Sequence, residues 1–309
     1  EDLRGKKGIK IRMVDVHNRE VGSFQNGLYD TLAVMGKDLY LTIDAELQQY
    51  GELLMQGKMG SVVAIEPSSG EILAFLSSPT YDPNLLVGRV RGKNFSELSK
   101  DPVKPLLNRA MMGQYPPGST FKMVNDLVGM QEGVLNTHTH YTCQGPGSSP
   151  IRCTHHHQSP LDVYVAIQQS CNPFHWQVYR SILNNPRRKN VKENYTAWRN
   201  HIMSMGFGHK LGTDMQFELS GNIPSAEKFD AIYGKGRWNA MTVRSLSIGQ
   251  GEILVTPLQL ANSAAVLANR GYYIVPHVVK SMGTDKPGED KFNKVTSTID
   301  PAYFEIAVE

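Results

Sequence analysis

The strongest constraint in this sequence is a helix-breaking segment that stands directly before a helical pattern. Tyr115-Pro-Pro-Gly118 ends any element that precedes it, because proline lacks a backbone N–H and glycine favours turns. Apolar residues then recur at helical spacing, at Phe121, Val124, Leu127 and Val128. The sequence therefore predicts a helix over residues 119–132 that begins at about Ser119.

This start point gives Ser119-Thr-Phe-Lys122 a possible chemical role. Residues three apart share a helical face, so the Ser119 hydroxyl and the Lys122 amine are expected on one side. A partly desolvated lysine can lose its proton and act as a base toward a serine at the positive end of a helix. Gly118 leaves room for a substrate. The alternative is an N-capped helix with a surface lysine, because Ser-x-x-Lys alone is common.

A second short motif lies 51 residues after Ser119, at Ser170-Cys-Asn172. In an extended turn, the side chains of Ser170 and Asn172 point the same way, which would bring a hydroxyl and an amide to one cleft. The alternative is a pair of polar caps at a helix end.

Composition and charge exclude several classes of protein. Hydrophobic residues make up 40% and charged residues 20% of the 309 residues, which excludes a disordered tail, a collagen-like fibre and a coiled coil. A net charge of +3 does not favour nucleic acid as a partner. The sequence has neither an apolar run of about 18 residues nor a signal peptide. Because it begins with Glu1, we expect a piece of a longer protein.

Local patterns predict an α+β fold. A strand over 38–43 and a helix over 45–57 capped by Asp44 are followed by a hairpin of residues 61–66 and 71–76. Helices are predicted over 161–170, over 173–184 and from Pro257 to a stop at Gly271, and a strand over 272–280.

At this point the chain resembles the class B penicillin-binding proteins, and among them those that act in cell elongation. The resemblance covers nearly the whole sequence. It rests on four segments: Gly60–Ala74, Tyr115–Lys122, Gln169–Asn172 and Ser247-Ile-Gly-Gln-Gly-Glu-Ile-Leu-Val-Thr-Pro-Leu-Gln-Leu-Ala-Asn262. The last segment is not expected in a class A β-lactamase.

The resemblance implies a penicillin-binding transpeptidase or serine β-lactamase-like fold, with helices flanking an antiparallel sheet and an all-helical subdomain. Residues 1–37 would be the remnant of a non-catalytic pedestal or dimerisation domain, and residues 38–309 the transpeptidase domain. The whole protein would be periplasmic and anchored in the inner membrane by an N-terminal helix that this chain lacks.

The resemblance also implies roles for individual residues. Ser119 would be the acylated nucleophile and Lys122 its general base. Ser170 would relay protons to the leaving group, and Asn172 and Gly118 would contact the substrate. The activity would be a serine-type D-Ala-D-Ala transpeptidase that cross-links stem peptides, needs no organic cofactor and is trapped by β-lactams.

By resemblance, the partners would be a RodA-type membrane glycosyltransferase and a periplasmic elongation scaffold. Two alternatives stay open: a β-lactam hydrolase or sensor on the same fold, and a non-catalytic module for cell-wall assembly.

The third motif of the family, Lys-Thr-Gly, does not occur in the chain. Lys210-Leu-Gly-Thr213 and Lys280-Ser-Met-Gly283 are superficial look-alikes. We expect the motif to lie beyond residue 309, which makes the domain incomplete at its C-terminus. Whether this chain alone is active stays open, and a natural pseudoenzyme that ends at residue 309 is the alternative.

A cluster of cysteine and histidine surrounds the second motif. Cys143, Cys153, His157 and Cys171 would supply the three sulfurs and one imidazole of a closed, structural zinc site. Some members of the family carry a zinc ion near this motif. His155 or His156 could replace His157, and a Cys143–Cys153 disulfide or three free thiols are the alternatives.

Overall fold

The computed structural model describes residues 3–283 and 292–308. Strands and helices are numbered along the chain. The strands are β1 Arg12–Val14, β2 Glu20–Ser23, β3 Leu39–Leu41, β4 Gly60–Ile65, β5 Ile72–Ser78, β6 Tyr272–Ile274, β7 Val279–Met282 and β8 Lys294–Thr296. The helices are α1 Ala45–Leu54, α2 Arg91–Lys100, α3 Arg109–Met112, α4 Phe121–Gln131, α5 Val163–Gln168, α6 Asn172–Leu183, α7 Val191–Ser204, α8 Ala226–Tyr233, α9 Pro257–Ala268 and α10 Pro301–Val308.

The chain divides into two compact units. The first runs to Thr42 and includes the segment that starts at Val279. It holds two antiparallel strand pairs, β1 with β2 and β3 with β7. Its apolar residues are largely exposed, as the accessible surfaces of Val16, Leu32 and Met35 show. The second unit contains Ile43–Val278 and the C-terminal segment.

The predicted hairpin is confirmed in the second unit. Strands β4 and β5 pair antiparallel around the turn that contains Gly70. Asp44 caps α1 as predicted, since its carboxylate accepts from the backbone N–H groups of Glu46 and Leu47. The helix ends at Leu54, three residues earlier than expected. Together, the hairpin and α1 form the strand-rich side of this unit.

Aromatic side chains hold the helical part of the second unit together. Trp198 on α7 packs against Phe121 on α4, Tyr179 on α6 and Tyr195 on its own helix, with ring centroids 5.1–6.4 Å apart. All four side chains are fully buried. Large buried rings contribute both apolar area and edge-to-face contacts, so this cluster fixes α4 against α6 and α7.

Helix α9 confirms the strong local signals of its sequence. The Thr256 hydroxyl accepts from the backbone N–H of Gln259, and the Gln259 Oε1 accepts from the backbone N–H of Thr256. Two backbone groups at the helix start are thereby satisfied. Gly271, with a φ of +106°, follows the end of the helix as predicted.

The single strand predicted over 272–280 is wrong. The structure has two strands there, because Pro276 cannot donate to a ladder and interrupts the segment. Strand β6 pairs with β8, whereas β7 pairs with β3. The described strands thus form four antiparallel pairs. In the described ranges, no helix combines the length and apolar character that crossing a membrane requires.

Candidate active site

The helix-breaking segment places Ser119 on a tight turn at the start of α4. Gly118–Thr120 form a single 3₁₀ turn that continues into α4 at Phe121. Gly118 has a φ of +63°, a conformation that favours glycine, and a Cβ there would meet no atom within 4 Å. Ser119 is exposed. The turn therefore presents the Ser119 hydroxyl beside open space.

Lys122, one turn further along, is buried and reaches the second motif. Its side chain is only 3% exposed, so the surface-lysine alternative is wrong. The Nζ atom lies 2.7 Å from the Ser170 carbonyl oxygen, 2.9 Å from the Ser170 Oγ and 2.6 Å from the Asn172 Oδ1. Burial lowers the pKa of Lys122, because desolvation disfavours the charged amine.

These three contacts identify the atom through which a proton can pass. The carbonyl oxygen of Ser170 and the amide oxygen of Asn172 can only accept, so two N–H bonds of Lys122 point at them. The Ser170 hydroxyl can accept from an ammonium group or donate to a neutral amine. Both protonation states of Lys122 therefore fit this geometry, and they differ at the Ser170 hydroxyl.

Ser170 and Asn172 both reach Lys122, but not by way of an extended turn. Ser170 is left-handed, with a φ of +50°, an uncommon conformation for a residue other than glycine. Cys171 is the N-cap of α6, so the alternative of a polar Ser or Asn cap is wrong. The Asn172 amide donates to the carbonyl oxygen of Arg152, which ties it to the preceding loop.

The Ser247–Asn262 segment supports the turn of Ser119 directly. The backbone N–H of Gly118 donates to the Gly249 carbonyl oxygen over 2.8 Å. Gly249 has a φ of +66°, and a Cβ there would overlap the Gly118 carbonyl oxygen and lie 2.7 Å from the Phe121 Cβ. The buried Asn125 side chain of α4 donates to the carbonyl oxygens of Leu246 and Ser247. This segment therefore clamps the turn through backbone contacts.

The four predicted metal ligands lie together. The thiols of Cys143, Cys153 and Cys171 and one imidazole nitrogen of His157 are all within 4.8 Å of one another. The three cysteines are buried and free, so the alternative Cys143–Cys153 disulfide is not formed. A tetrahedral zinc ion with bonds of about 2.3 Å to sulfur separates its ligands by about 3.8 Å, so small adjustments would suffice.

The hydrogen bonds of the cluster orient its donors. The His157 Nδ1 lies 2.9 Å from the Gln158 carbonyl oxygen, so this nitrogen carries a proton and Nε2 is free to accept or to ligate. That Nε2 is 3.4 Å from the Cys153 sulfur. Burial acts to raise the pKa of Cys153, but hydrogen bonds to its sulfur, first of all from the His155 backbone, outweigh it and lower the pKa to about 6. Burial raises the pKa of Cys171 to about 12.

Sequence reasoning missed three residues that shape this site. Asn125 and Asp126 lie in α4, and His175 lies in α6, all with no exposed surface. A helical pattern marks such positions as interior without revealing their partners. The four-residue spacings from Lys122 to Asp126 and from Cys171 to His175 were the available signals.

Comparisons with known proteins agree with this geometry. The sequence profile described as "Penicillin binding protein transpeptidase domain" matches residues 60–301. The chain belongs to the penicillin-binding protein transpeptidase family. The peptidoglycan D,D-transpeptidase MrdA of Acinetobacter baumannii is 36% identical over 260 residues, which cover 82% of this chain and 37% of that protein. MrdA of Escherichia coli K12 is 32% identical over 317 residues, 99% of this chain and 47% of that protein.

Solved structures of the family show the same fold. Pseudomonas aeruginosa PBP2 in complex with WCK 5153 has a TM-score of 0.73 at 28% identity, over 99% of this chain and 70% of that one. The PBP2 of Helicobacter pylori in complex with MreC has a TM-score of 0.71 at 25% identity, and the match covers 94% of this chain and 53% of that one. The penicillin G acyl-enzyme complex of Mycobacterium tuberculosis penicillin-binding protein A has a TM-score of 0.70 at 26% identity, and the match covers 89% of this chain and 62% of that one. This chain thus has the penicillin-binding transpeptidase fold and spans less than half of the two curated relatives.

The clamp predicts an unequal cost for two glycine substitutions. Gly249→Ala places a Cβ on a left-handed residue and against the turn of Ser119. Gly236 has a φ of +69° and open space around it, so Gly236→Ala tests the backbone conformation alone. We expect Gly236→Ala to lower the free energy of unfolding by about 1 kcal/mol. Gly249→Ala should cost about 2 kcal/mol more, because the overlap forces the backbone to shift. Urea unfolding measures both values, and equal losses would contradict the clamp.

Proposed function

We propose that the protein containing this chain is a peptidoglycan D,D-transpeptidase of cell elongation that works through an acyl-enzyme on Ser119. The observation that carries this proposal is the buried Lys122 amine. Its contacts join the turn of Ser119 to the hydroxyl of Ser170 and the amide of Asn172. In this proposal, Ser119 is the nucleophile, the desolvated Lys122 amine is its base, and the Ser170 hydroxyl is the proton relay. The MrdA relatives support the substrate class.

In the first half-reaction, the Ser119 Oγ attacks the carbonyl carbon of the D-Ala-D-Ala peptide bond of a stem peptide. The neutral Lys122 amine takes the hydroxyl proton, and its lowered pKa favours the neutral form. The backbone N–H of Ser119 stabilises the oxyanion that forms. The C–N bond then breaks, and the departing D-Ala amine receives a proton through the Ser170 hydroxyl.

In the second half-reaction, an amine of a neighbouring stem peptide attacks the ester carbon on Ser119. The neutral Lys122 amine takes a proton from the attacking amine and passes it to the Ser119 oxygen, which leaves as a hydroxyl when its bond to the carbonyl carbon breaks. The product is the cross-link. Asn172 would bind the backbone amide of the donor peptide, and the open space at Gly118 would admit it.

We also propose that Cys143, Cys153, His157 and Cys171 hold a structural zinc ion. The donor set fits, because three thiols and an imidazole with a free Nε2 converge within 4.8 Å. A site with four protein ligands is closed, so the ion would be structural and would take no part in acyl transfer. Through Cys171, the site would hold the loop that presents Ser170 and Asn172.

The remaining features of the proposal rest on similarity. Residues 1–37 would belong to a non-catalytic pedestal or dimerisation domain and 38–309 to the transpeptidase domain. The solved PBP2–MreC complex supports a periplasmic scaffold as partner, and a RodA-type glycosyltransferase would be the second partner. We place the domain in the periplasm, on a protein anchored in the inner membrane.

The acyl-enzyme predicts that penicillin labels Ser119. The natural full-length protein, incubated with penicillin G, should carry one covalent adduct per chain, located in the peptide that contains Ser119. Ser119→Ala should abolish the adduct, whereas Thr120→Ala, which removes the neighbouring hydroxyl of the same turn, should keep it. Intact and peptide mass spectrometry measure both. Labelling of Ser119→Ala would contradict the mechanism, and rapid loss of the wild-type adduct would indicate a β-lactam hydrolase instead.

The metal site predicts one zinc ion per chain in protein purified without chelator. His157→Ala should lower the zinc content and the melting temperature, because one of four ligands is lost. His155→Ala, an exposed neighbour outside the cluster, is the matched control and should change neither quantity. Elemental analysis and thermal unfolding give the result. Wild-type protein with less than about a tenth of an equivalent of zinc would contradict the proposal.

A further inference from the structure

A buried acid–histidine pair joins the two helices of the site. The His175 Nε2 on α6 lies 3.0 Å from the Asp126 Oδ2 on α4, and both side chains have no exposed surface. The other ring nitrogen, Nδ1, lies 2.6 Å from the carbonyl oxygen of Cys171. Asp126, His175 and the Cys171 carbonyl therefore form a continuous chain of hydrogen bonds.

The donor and acceptor capacity of each group determines where the protons of these two hydrogen bonds lie. The Cys171 carbonyl can only accept, so the His175 Nδ1 must carry a proton. The contact between Nε2 and Asp126 then needs one more proton, either on the imidazole or on the carboxyl group. In both cases the pair is neutral overall. Two neutral or mutually compensated groups can be buried at this depth, whereas a single ionised carboxylate would be very costly.

These hydrogen bonds form a second bridge between α4 and the second motif, which Lys122 also connects. Asp126 follows Lys122 by one helical turn, so both side chains leave the same face of α4. Lys122 binds Ser170 and Asn172, and the Asp126–His175 pair binds the residue between them, Cys171. The second motif is thus held from α4 at three consecutive positions.

The two bridges differ in what the reaction demands of them. The contacts of Lys122 must change when its amine takes a proton from Ser119. The contacts of Asp126 and His175 need not change. Ser170 is left-handed, a conformation that persists only where its surroundings enforce it. A second bridge that stays closed can hold Ser170 and Asn172 in place while the first rearranges.

Stability alone is a poor explanation for this pair. Apolar residues of similar volume often stabilise a protein as well as a buried ion pair does. In addition, the Asp126 Oδ1 has no hydrogen-bond partner among the described residues. Burial raises the pKa of Asp126, which shows the cost of placing the group there. A directional contact with the second motif is what an apolar pair could not supply.

We propose that Asp126 and His175 are positioning residues that hold the Cys171 carbonyl, and with it Ser170 and Asn172, in the geometry required for acylation of Ser119. This inference rests on the proposed function. It predicts a defect in the acylation step rather than in the initial binding of a β-lactam.

The test separates these two quantities with a fluorescent penicillin and rapid quenching of the natural full-length protein. Asp126→Leu should lower the first-order acylation constant about tenfold and leave the dissociation constant of the non-covalent complex within about twofold. Asp126→Asn should restore acylation to within about threefold of wild type, because its amide N–H can donate to the His175 Nε2. A purely structural role would not give this rescue.

Glu132→Leu is the matched control for lost stability. Glu132 is a buried carboxylate just after the end of α4, and it pairs with Arg188 and His201 rather than with the site. The Glu132→Leu variant should be acylated at the wild-type rate, although its melting temperature should be lower. Folded Asp126→Leu that acylates within about twofold of wild type would overturn the proposal, as would failure of Asp126→Asn to restore the rate.

A spectroscopic measurement tests the hydrogen bond from His175 to the Cys171 carbonyl without variants and without an activity assay. Nitrogen NMR of histidine-labelled wild-type protein should show a protonated Nδ1 at His175, hydrogen-bonded to a carbonyl group. An unprotonated Nδ1 would overturn the proposed bridge even if Asp126→Leu does not fold. Failure of wild-type protein to acylate with the bridge present would instead contradict the proposed function.

Discussion

The buried amine of Lys122 is the interaction on which the site depends. Removing this amine from water is unfavourable, and three oxygen atoms on Ser170 and Asn172 that form hydrogen bonds with it compensate for the cost. Because the acceptors lie on another segment, the same contacts fix α4 against the start of α6. Burial also lowers the pKa of Lys122, because desolvation disfavours the charged amine.

Two neighbouring features reinforce this arrangement. The Gly249 backbone holds the turn of Ser119 from one side, and the Asp126–His175 pair holds the Cys171 carbonyl from the other. A bound zinc ion at Cys171 would add a third restraint on the second motif. Each restraint acts on backbone position, which explains how an exposed serine and a strained Ser170 can be kept in one geometry.

Local chemistry made much of the fold predictable. Helix starts depend on caps and helix breakers that act on their immediate sequence neighbours. The starts of α1, α9 and α4 could therefore be predicted from Asp44, Thr256 and Pro117-Gly118. The strand over 272–280 was mispredicted because Pro276 interrupts it and its two parts pair with different strands that are not adjacent to them in sequence. Motif spacing related Ser119 to Lys122 and Ser170 to Asn172, whereas the grouping of these two pairs and their proposed roles come from the family resemblance. The contacts of Asn125, Asp126 and His175 depend on how α4, α6 and α7 pack, which periodicity does not encode.

A double-mutant cycle between Lys122 and Asn172 tests the central claim most directly. Lys122→Met, Asn172→Ala and the double variant are compared with wild type by their free energies of unfolding in urea. The structure predicts a coupling energy of about 1–3 kcal/mol, because a buried hydrogen bond joins the two side chains and each single substitution leaves a buried polar group unpaired. Additive losses, with a coupling below about 0.5 kcal/mol, would show that Lys122 does not tie α4 to the second motif.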